Sequence, residues 1–236
     1  MLPPKDSTLF WKFLHVIVSI LRLWTGSLRV EGRENIPTQG GVILAGNHPG
    51  GMDVIVMGYS SSRQVYYMAK EELFKINPAL SWLLFKVGAF PVRRGRNDVG
   101  AIATSVALIK KGKVLGMFPE GTRDRDRGMT RGRNGAVRIA LSTGAPIVPC
   151  AVIGISRFNQ EWANPLRRPK VIVRFGKPIY FDKSEGSGAE MQQKHTDTVM
   201  FAIADMLPPD LRGIYADPAL IRANVDDSMA TTVNKG

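Results

Sequence analysis

The sequence predicts an α/β domain: a central sheet of mostly parallel or mixed strands flanked by helices, with an N-terminal helix suited to a membrane interface. Three observations carry this. Between residues 27 and 215 short apolar runs alternate with helical stretches, the rhythm of a sheet covered by helices. Residues 8–24 are apolar and aromatic, but charge interrupts them at helical spacing. The chain of 236 residues carries a net charge of +12, so it seeks anionic partners. Hydrophobic residues make up 44%, enough for the core of one ordinary domain.

The N-terminal segment, 1–26, comes first. Lys12, His15 and Arg22 interrupt its apolar run, and a spanning helix needs about 20 apolar residues with few charges. The residues that follow make a poor signal-cleavage site. Lys12, His15, Ser19 and Arg22 share one helical face, and Phe10, Phe13, Leu14, Ile17, Leu21 and Trp24 fill the others. The expectation is a helix lying in the interface, basic groups to headgroups and aromatics beneath. The plainer alternative is an amphipathic helix docked on the domain. A second stretch, 72–87, mixes Phe74, Trp82 and Phe85 with isolated lysines. It reads either as more lipid-facing surface or as a core helix broken at Asn77-Pro78.

Strands are expected at 41–45, 64–69, 114–118, 146–154 and 171–175. Helices are expected from 54, then at 100–111, 135–142 and 189–206. In such folds the chemistry gathers beyond the carboxyl ends of the strands. The tail, 216–236, is polar and expected to be loose. The single cysteine, Cys150, lies in an apolar run and reads as a buried, inert thiol.

Charge is concentrated. Residues 93–138 hold 12 Lys and Arg against 4 Asp and Glu, a net of +8. The same region holds two of four short constellations. The first follows a predicted strand: Asn47-His48-Pro49-Gly50-Gly51-Met52-Asp53. Its Pro and two Gly force a tight turn that can bring Asp53 back to His48. A carboxylate on one imidazole nitrogen fixes the tautomer and leaves the other nitrogen as a base. Alone, the pair reads better as a helix cap beside a loop histidine. The second is Gly88-Ala89-Phe90-Pro91-Val92-Arg93-Arg94-Gly95-Arg96, whose guanidinium forks suit phosphate oxygens. The third, Phe118-Pro119-Glu120-Gly121-Thr122-Arg123, ends another strand. There Gly121 permits close backbone approach, Arg123 adds a cation, and Glu120 can orient the loop or hold Arg123. The fourth is the Val148-Pro149 pair entering a strand.

In this order the four resemble the motifs of the 1-acylglycerol-3-phosphate acyltransferases, also called lysophosphatidic acid acyltransferases. His48 and Asp53 match the family's His-x4-Asp. Gly88, Phe90 and Arg94 match the second motif, residues 118–123 match the third in full, and Val148-Pro149 match the fourth. The resemblance spans about residues 28–180. It departs from many relatives after the third motif, where a Lys-Gly pair is replaced by Arg133-Asn134-Gly135.

The resemblance implies a glycerolphosphate acyltransferase-like fold and transfer of an acyl group, without a covalent acyl-enzyme, to the sn-2 hydroxyl of 1-acylglycerol 3-phosphate, forming phosphatidic acid. His48 would be the base and Asp53 its orienting carboxylate. Arg93, Arg94, Glu120, Gly121, Thr122 and Arg123 would form the acceptor site, and Val148 and Pro149 a donor-side or structural motif. The donor would be acyl-CoA or acyl carrier protein, both anionic, with no cofactor and no metal. The other partners would be a lysophospholipid acceptor and an anionic membrane surface, and the place of action the cytoplasmic face of the membrane, as a peripheral or monotopic protein.

Other readings remain open at this level. Another lysolipid or glycerol 3-phosphate could be the acceptor, or the chain could be a non-catalytic basic membrane-binding domain. Nucleic acid is not an expected partner, because the basic stretch lacks interleaved aromatics and any recognisable reading motif. A serine hydrolase is disfavoured, because Ser60-Ser61-Ser62 lacks the glycine frame of a nucleophile elbow.

Overall fold

The computed structural model describes residues 3–4, 7–25, 27–93, 98–121, 128–155, 170–182 and 188–217, with the side chains of 21–25 excepted. The tail expected to be loose, from 218 on, lies outside them.

Seven strands form one sheet: β1 (Ser27–Glu31), β2 (Val42–Gly46), β3 (Val65–Lys70), β4 (Ala89–Val92), β5 (Val114–Met117), β6 (Ile147–Ile153) and β7 (Lys170–Phe175). Their order across the sheet is β1-β7-β6-β2-β5-β3-β4. All pairings are parallel except β6 with β7. The mixed, mostly parallel sheet therefore agrees with the sequence reading. The five expected strands are present within a residue or two.

The two strands not expected, β1 and β4, are the sheet's edges. β1 alternates apolar with charged residues, and its Glu31 pairs with Arg29 and with Arg174 of β7. β4 carries Pro91. Charge and proline are the usual protection of a sheet edge, and they make a strand read as loop.

Central strands bury both faces, so their runs are continuously apolar rather than alternating. In β2, Ile43 and Ala45 join one core layer and Val42 and Leu44 the other. Ala136, Val137, Ile139 and Ala140 of α5 (Gly135–Thr143) fill the first layer, with Val199, Met200 and Ile203 of α6 (Ala189–Asp205). Met57 of α2 (Asp53–Ser60) fills the second.

The helix α1 (Leu9–Thr25) forms where expected, but its faces differ from the sequence reading. His15 does not meet headgroups. It is buried, stacks on Tyr59 of α2 with ring centroids 4.3 Å apart, and places Nε2 3.2 Å from the Tyr59 carbonyl oxygen. Ser19 Oγ lies 2.8 Å from the Tyr59 hydroxyl. Trp11 packs on Gly58, where an added Cβ would sit 3.2 Å from the indole. Burial holds the His15 imidazole below its usual pKa, so it docks neutral. His15 and Ser19 of the polar stripe thus face the fold, because α2 offers hydrogen-bonding partners there. The outward stripe is Leu9, Phe13, Val16 and Ile20, all exposed.

The second aromatic stretch breaks at Asn77-Pro78, as one reading proposed, but it is not core. A 3-10 turn over Glu71–Lys75 gives way to α3 (Pro78–Lys86). Asn77 Oδ1 accepts the Leu80 N–H at 2.7 Å, and Pro78 opens the helix, where its missing N–H costs nothing. No residue of α3 is buried, and Ile76, Trp82, Leu83 and Phe85 are exposed. Phe10 of α1 meets Trp82 edge-on at 5.5 Å, so the two helices share one apolar surface. No helix among the described residues is long and apolar enough to cross a membrane.

Candidate active site

Parallel strands end at the same edge of the sheet, so β2 and β5, paired through Ala45 and Met117, deliver the first and third constellations side by side. Asn47, just past β2, extends the sheet with its side chain. Its Nδ2 donates to the Val152 carbonyl at 3.0 Å, and its Oδ1 accepts the Val152 N–H at 2.7 Å. The amide imitates a peptide bond, which fixes the chain leading into His48.

His48 and Asp53 meet as the spacing suggested. His48 Nδ1 is 2.7 Å from Asp53 Oδ2, and both side chains are buried. The same Oδ2 accepts the Gly50 N–H at 3.0 Å, and Oδ1 accepts the Val54 N–H at 2.8 Å. Asp53 thus serves the histidine and the first turn of α2 together, where the helix dipole also favours a carboxylate. A carboxylate on Nδ1 selects the tautomer with the lone pair on Nε2. The ring stacks on Phe118 at 4.2 Å and 21°. That contact gives Phe118 of the third motif a physical role that its sequence position did not disclose.

Glu120 turns inward. Its Oε1 accepts the His48 N–H at 3.0 Å, and its Oε2 accepts the Thr130 N–H at 2.9 Å and the Thr130 hydroxyl at 3.2 Å. Burial pushes its carboxyl above the usual range, and these donors pull it back in part. Both oxygens hold loops together. Gly121 has a φ of 70°, a left-handed conformation that favours glycine. A side chain there would strike Arg133, whose Nε lies 2.9 Å from the Cβ position.

His48 lines a cleft of about 700 Å³. Arg93, Gly121, Arg133 and Arg138 line it too, as do the first turns of α4 (Val99–Lys110) and α5. Arg93 Nε pairs with Glu71 at 2.8 Å. Arg94, Thr122 and Arg123 lie outside the described residues. Val148 and Pro149 are buried in β6 beside Leu44 and Ala45, away from the cleft lining. Arg133 and Arg138 were not singled out as site residues from sequence. The signal available was the arginine at the place of the expected Lys-Gly pair. Among the described residues, no three His, Cys, Asp or Glu side chains converge as metal ligands.

Comparison with known proteins agrees with this geometry. A family model described as Acyltransferase matches residues 27–153. A 1-acyl-sn-glycerol-3-phosphate acyltransferase of Bacillus subtilis is 34% identical over 172 residues, covering 72% of this chain and 82% of that protein. One of Borreliella burgdorferi is 31% identical, covering 58% of this chain and 56% of that longer protein. The crystal structure of the 1-acyl-sn-glycerophosphate acyltransferase PlsC from Thermotoga maritima superposes with a TM-score of 0.57 at 25% identity. It covers 78% of this chain and 76% of that one. The fold is that of an acyl-transferring enzyme. The chain belongs to the acyltransferase family that includes the 1-acyl-sn-glycerol-3-phosphate acyltransferases.

Replacing Asp53 separates charge from packing. Asp53→Asn is expected to lower kcat for acyl transfer by about 10²–10⁴-fold, with acceptor KM within a few-fold, because the amide neither stabilises an imidazolium nor enforces the tautomer. Asp53→Ala is expected to lose about 1–3 kcal/mol of stability as well, since the Gly50 and Val54 N–H groups lose their acceptor. Steady-state kinetics beside thermal unfolding checks both.

Proposed function

We propose that this protein transfers a fatty acyl group from a thioester, acyl-CoA or acyl carrier protein, to the sn-2 hydroxyl of 1-acylglycerol 3-phosphate, giving phosphatidic acid. The observation that carries the mechanism is the 2.7 Å contact between His48 Nδ1 and Asp53 Oδ2 at an arginine-lined cleft. His48 Nε2 takes the hydroxyl proton as the oxygen attacks the thioester carbonyl. Asp53 stabilises the resulting imidazolium. The C–S bond breaks, and His48 returns the proton to the leaving thiolate. A thiolate is a good leaving group, so the step asks for no cofactor, and the buried Cys150 thiol, its pKa raised by desolvation, takes no part.

The acceptor's phosphate is held by cations. Arg94 and Arg123 come from the family motifs and Arg93 helps them, with Gly121 giving the backbone room to approach and Thr122 beside it in the same motif. Arg133 and Arg138 add to them, since both line the cleft. Two-point arginine contacts bind and orient a phosphate monoester, which turns a collision into a directed attack. The protein acts at an anionic membrane surface, on its cytoplasmic face, as a peripheral or monotopic enzyme. The exposed stripe of α1 and the exposed residues of α3 support this reading: Phe13, Trp82 and Phe85 are exposed, Phe10 of α1 meets Trp82 of α3, and Lys86 lies over the Trp82 ring.

Two measurements test these statements. Detergent-purified protein given long-chain acyl-CoA is expected to release thiol with lysophosphatidic acid. With the same monoacylglycerol lacking phosphate, kcat/KM is expected to fall at least about 100-fold, the worth of one or two charged hydrogen bonds. Equal turnover on both would rule out a phosphate-reading site. In flotation with vesicles containing anionic lipid, the wild type is expected to float and Phe13→Glu/Trp82→Glu to stay below. Equal flotation of both would overturn the docking surface.

A further inference from the structure

Residues 128–134 run between the third motif and the C-terminal part of the fold. On one side, the Thr130 N–H and hydroxyl donate to Glu120, and the Arg133 N–H donates to the Pro119 carbonyl at 2.9 Å. On the other side lies the segment 206–217, outside the region 27–153 that the family model matches. Met129 donates its N–H to Leu211 at 3.2 Å and accepts the Ile214 N–H at 3.1 Å. Two glycines permit this approach: a Cβ on Gly213 would sit 2.1 Å from the Met129 oxygen, and one on Gly128 would sit 2.7 Å from the Gly213 nitrogen.

Tyr215 completes the strap. Its buried hydroxyl accepts the Gly132 N–H at 3.0 Å and donates to Asp197 Oδ1 of α6 at 3.1 Å. Gln193 Nε2 donates to the same Asp197 oxygen at 3.0 Å, and the Thr196 hydroxyl donates to Asn134 Oδ1 at 2.9 Å. Phe201 packs edge-on against the Tyr215 ring at 5.2 Å. Burial pushes the phenol pKa well up, so the group stays a hydroxyl able to donate and accept at once. Gly132 itself is enclosed by Met200 and Thr196 of α6. The next residue, Arg133, reaches the cleft.

We infer that Tyr215 is a positioning residue for the acceptor site. Through Gly132 it fixes where Arg133 stands, and so it sets how firmly the acceptor's anionic group is held. The inference rests on the proposed role of Arg133 as a phosphate contact. Tyr215→Phe keeps the ring in its packing but leaves the Gly132 N–H without its acceptor and takes a donor from Asp197. The loop is then still tied through Met129, Thr130, the Arg133 N–H to Pro119 and Asn134 to Thr196, with the Gly132 N–H released.

The test uses the full chain carrying Tyr215→Phe, beside Arg133→Ala. Hydrogen exchange is followed in peptides covering 128–134 and 42–60, and kinetics use lysophosphatidic acid and a long-chain acyl-CoA. Tyr215→Phe is expected to speed exchange in 128–134 about tenfold or more, with 42–60 unchanged. Acceptor KM is expected to rise about three- to tenfold, with kcat and acyl-CoA KM within about twofold. Arg133→Ala is expected to raise the same KM, and the double variant to add little to it. If Arg133→Ala raises acceptor KM while Tyr215→Phe moves neither KM nor exchange, the inference alone is overturned. If exchange quickens but neither variant moves acceptor KM, the phosphate role of Arg133 falls and the inference with it. A uniform fall in kcat with lowered thermal stability and no KM selectivity also overturns it. Should Tyr215→Phe fail to fold, Asp197→Asn weakens the same hydroxyl's anchor and is read in the same way.

Discussion

The buried carboxylate of Glu120 joins the parts on which the site depends. Strands β2 and β5 lie next to each other in the sheet, but pairing alone fixes only backbone as far as Gly46 and Met117. Beyond that edge, Glu120 takes the His48 N–H with one oxygen and Thr130 with the other. Burying a carboxylate is costly, and here three donors offset much of the cost. Asn47 secures the same turn from the β6 side. The His48 ring, stacked on Phe118 and bonded through Nδ1 to the Asp53 carboxylate, is thereby held on a rigid scaffold rather than on a free loop.

The two ends of α2 link this site to the proposed membrane surface. Its first residue is Asp53, and near its last turn Tyr59 receives His15 of α1. The helix that carries Asp53 to His48 is therefore also the one on which the outward apolar stripe is mounted. In the proposed function this geometry suits a substrate held in a lipid surface. The acceptor's acyl chain stays in the membrane while its phosphate reaches the arginines. The strap of residues 206–217 supports the same cleft from the opposite side, behind Gly132 and Arg133.

Much of this was legible in sequence because it is local or periodic. The continuous apolar runs of β2, β5 and β6 became the centre of the sheet, buried on both faces, and β3 and β7, whose burial alternates, flank them. The His48–Asp53 contact followed from five residues of spacing and a Pro-Gly-Gly turn. What was not legible depends on distant partners. β1 and β4 were not among the expected strands, because the charge and proline that guard an edge break the apolar pattern. His15 was assigned to headgroups because its burial depends on Tyr59, 44 residues on. Arg133, Arg138 and Tyr215 carry no motif of their own. Their place is set by the first turn of α5 and by a strap some 80 residues away in sequence, 83 between Gly132 and Tyr215.

The most direct test of the account is the product formed by folded His48→Ala protein. Wild type and variant, matched by circular dichroism and melting temperature, are given lysophosphatidic acid and an acyl-CoA with a labelled acyl chain, and the extracted lipid is analysed by mass spectrometry. The account expects labelled phosphatidic acid from the wild type and at least about 10²-fold less from the variant. Labelled phosphatidic acid formed at the wild-type rate by a folded His48→Ala protein would contradict it.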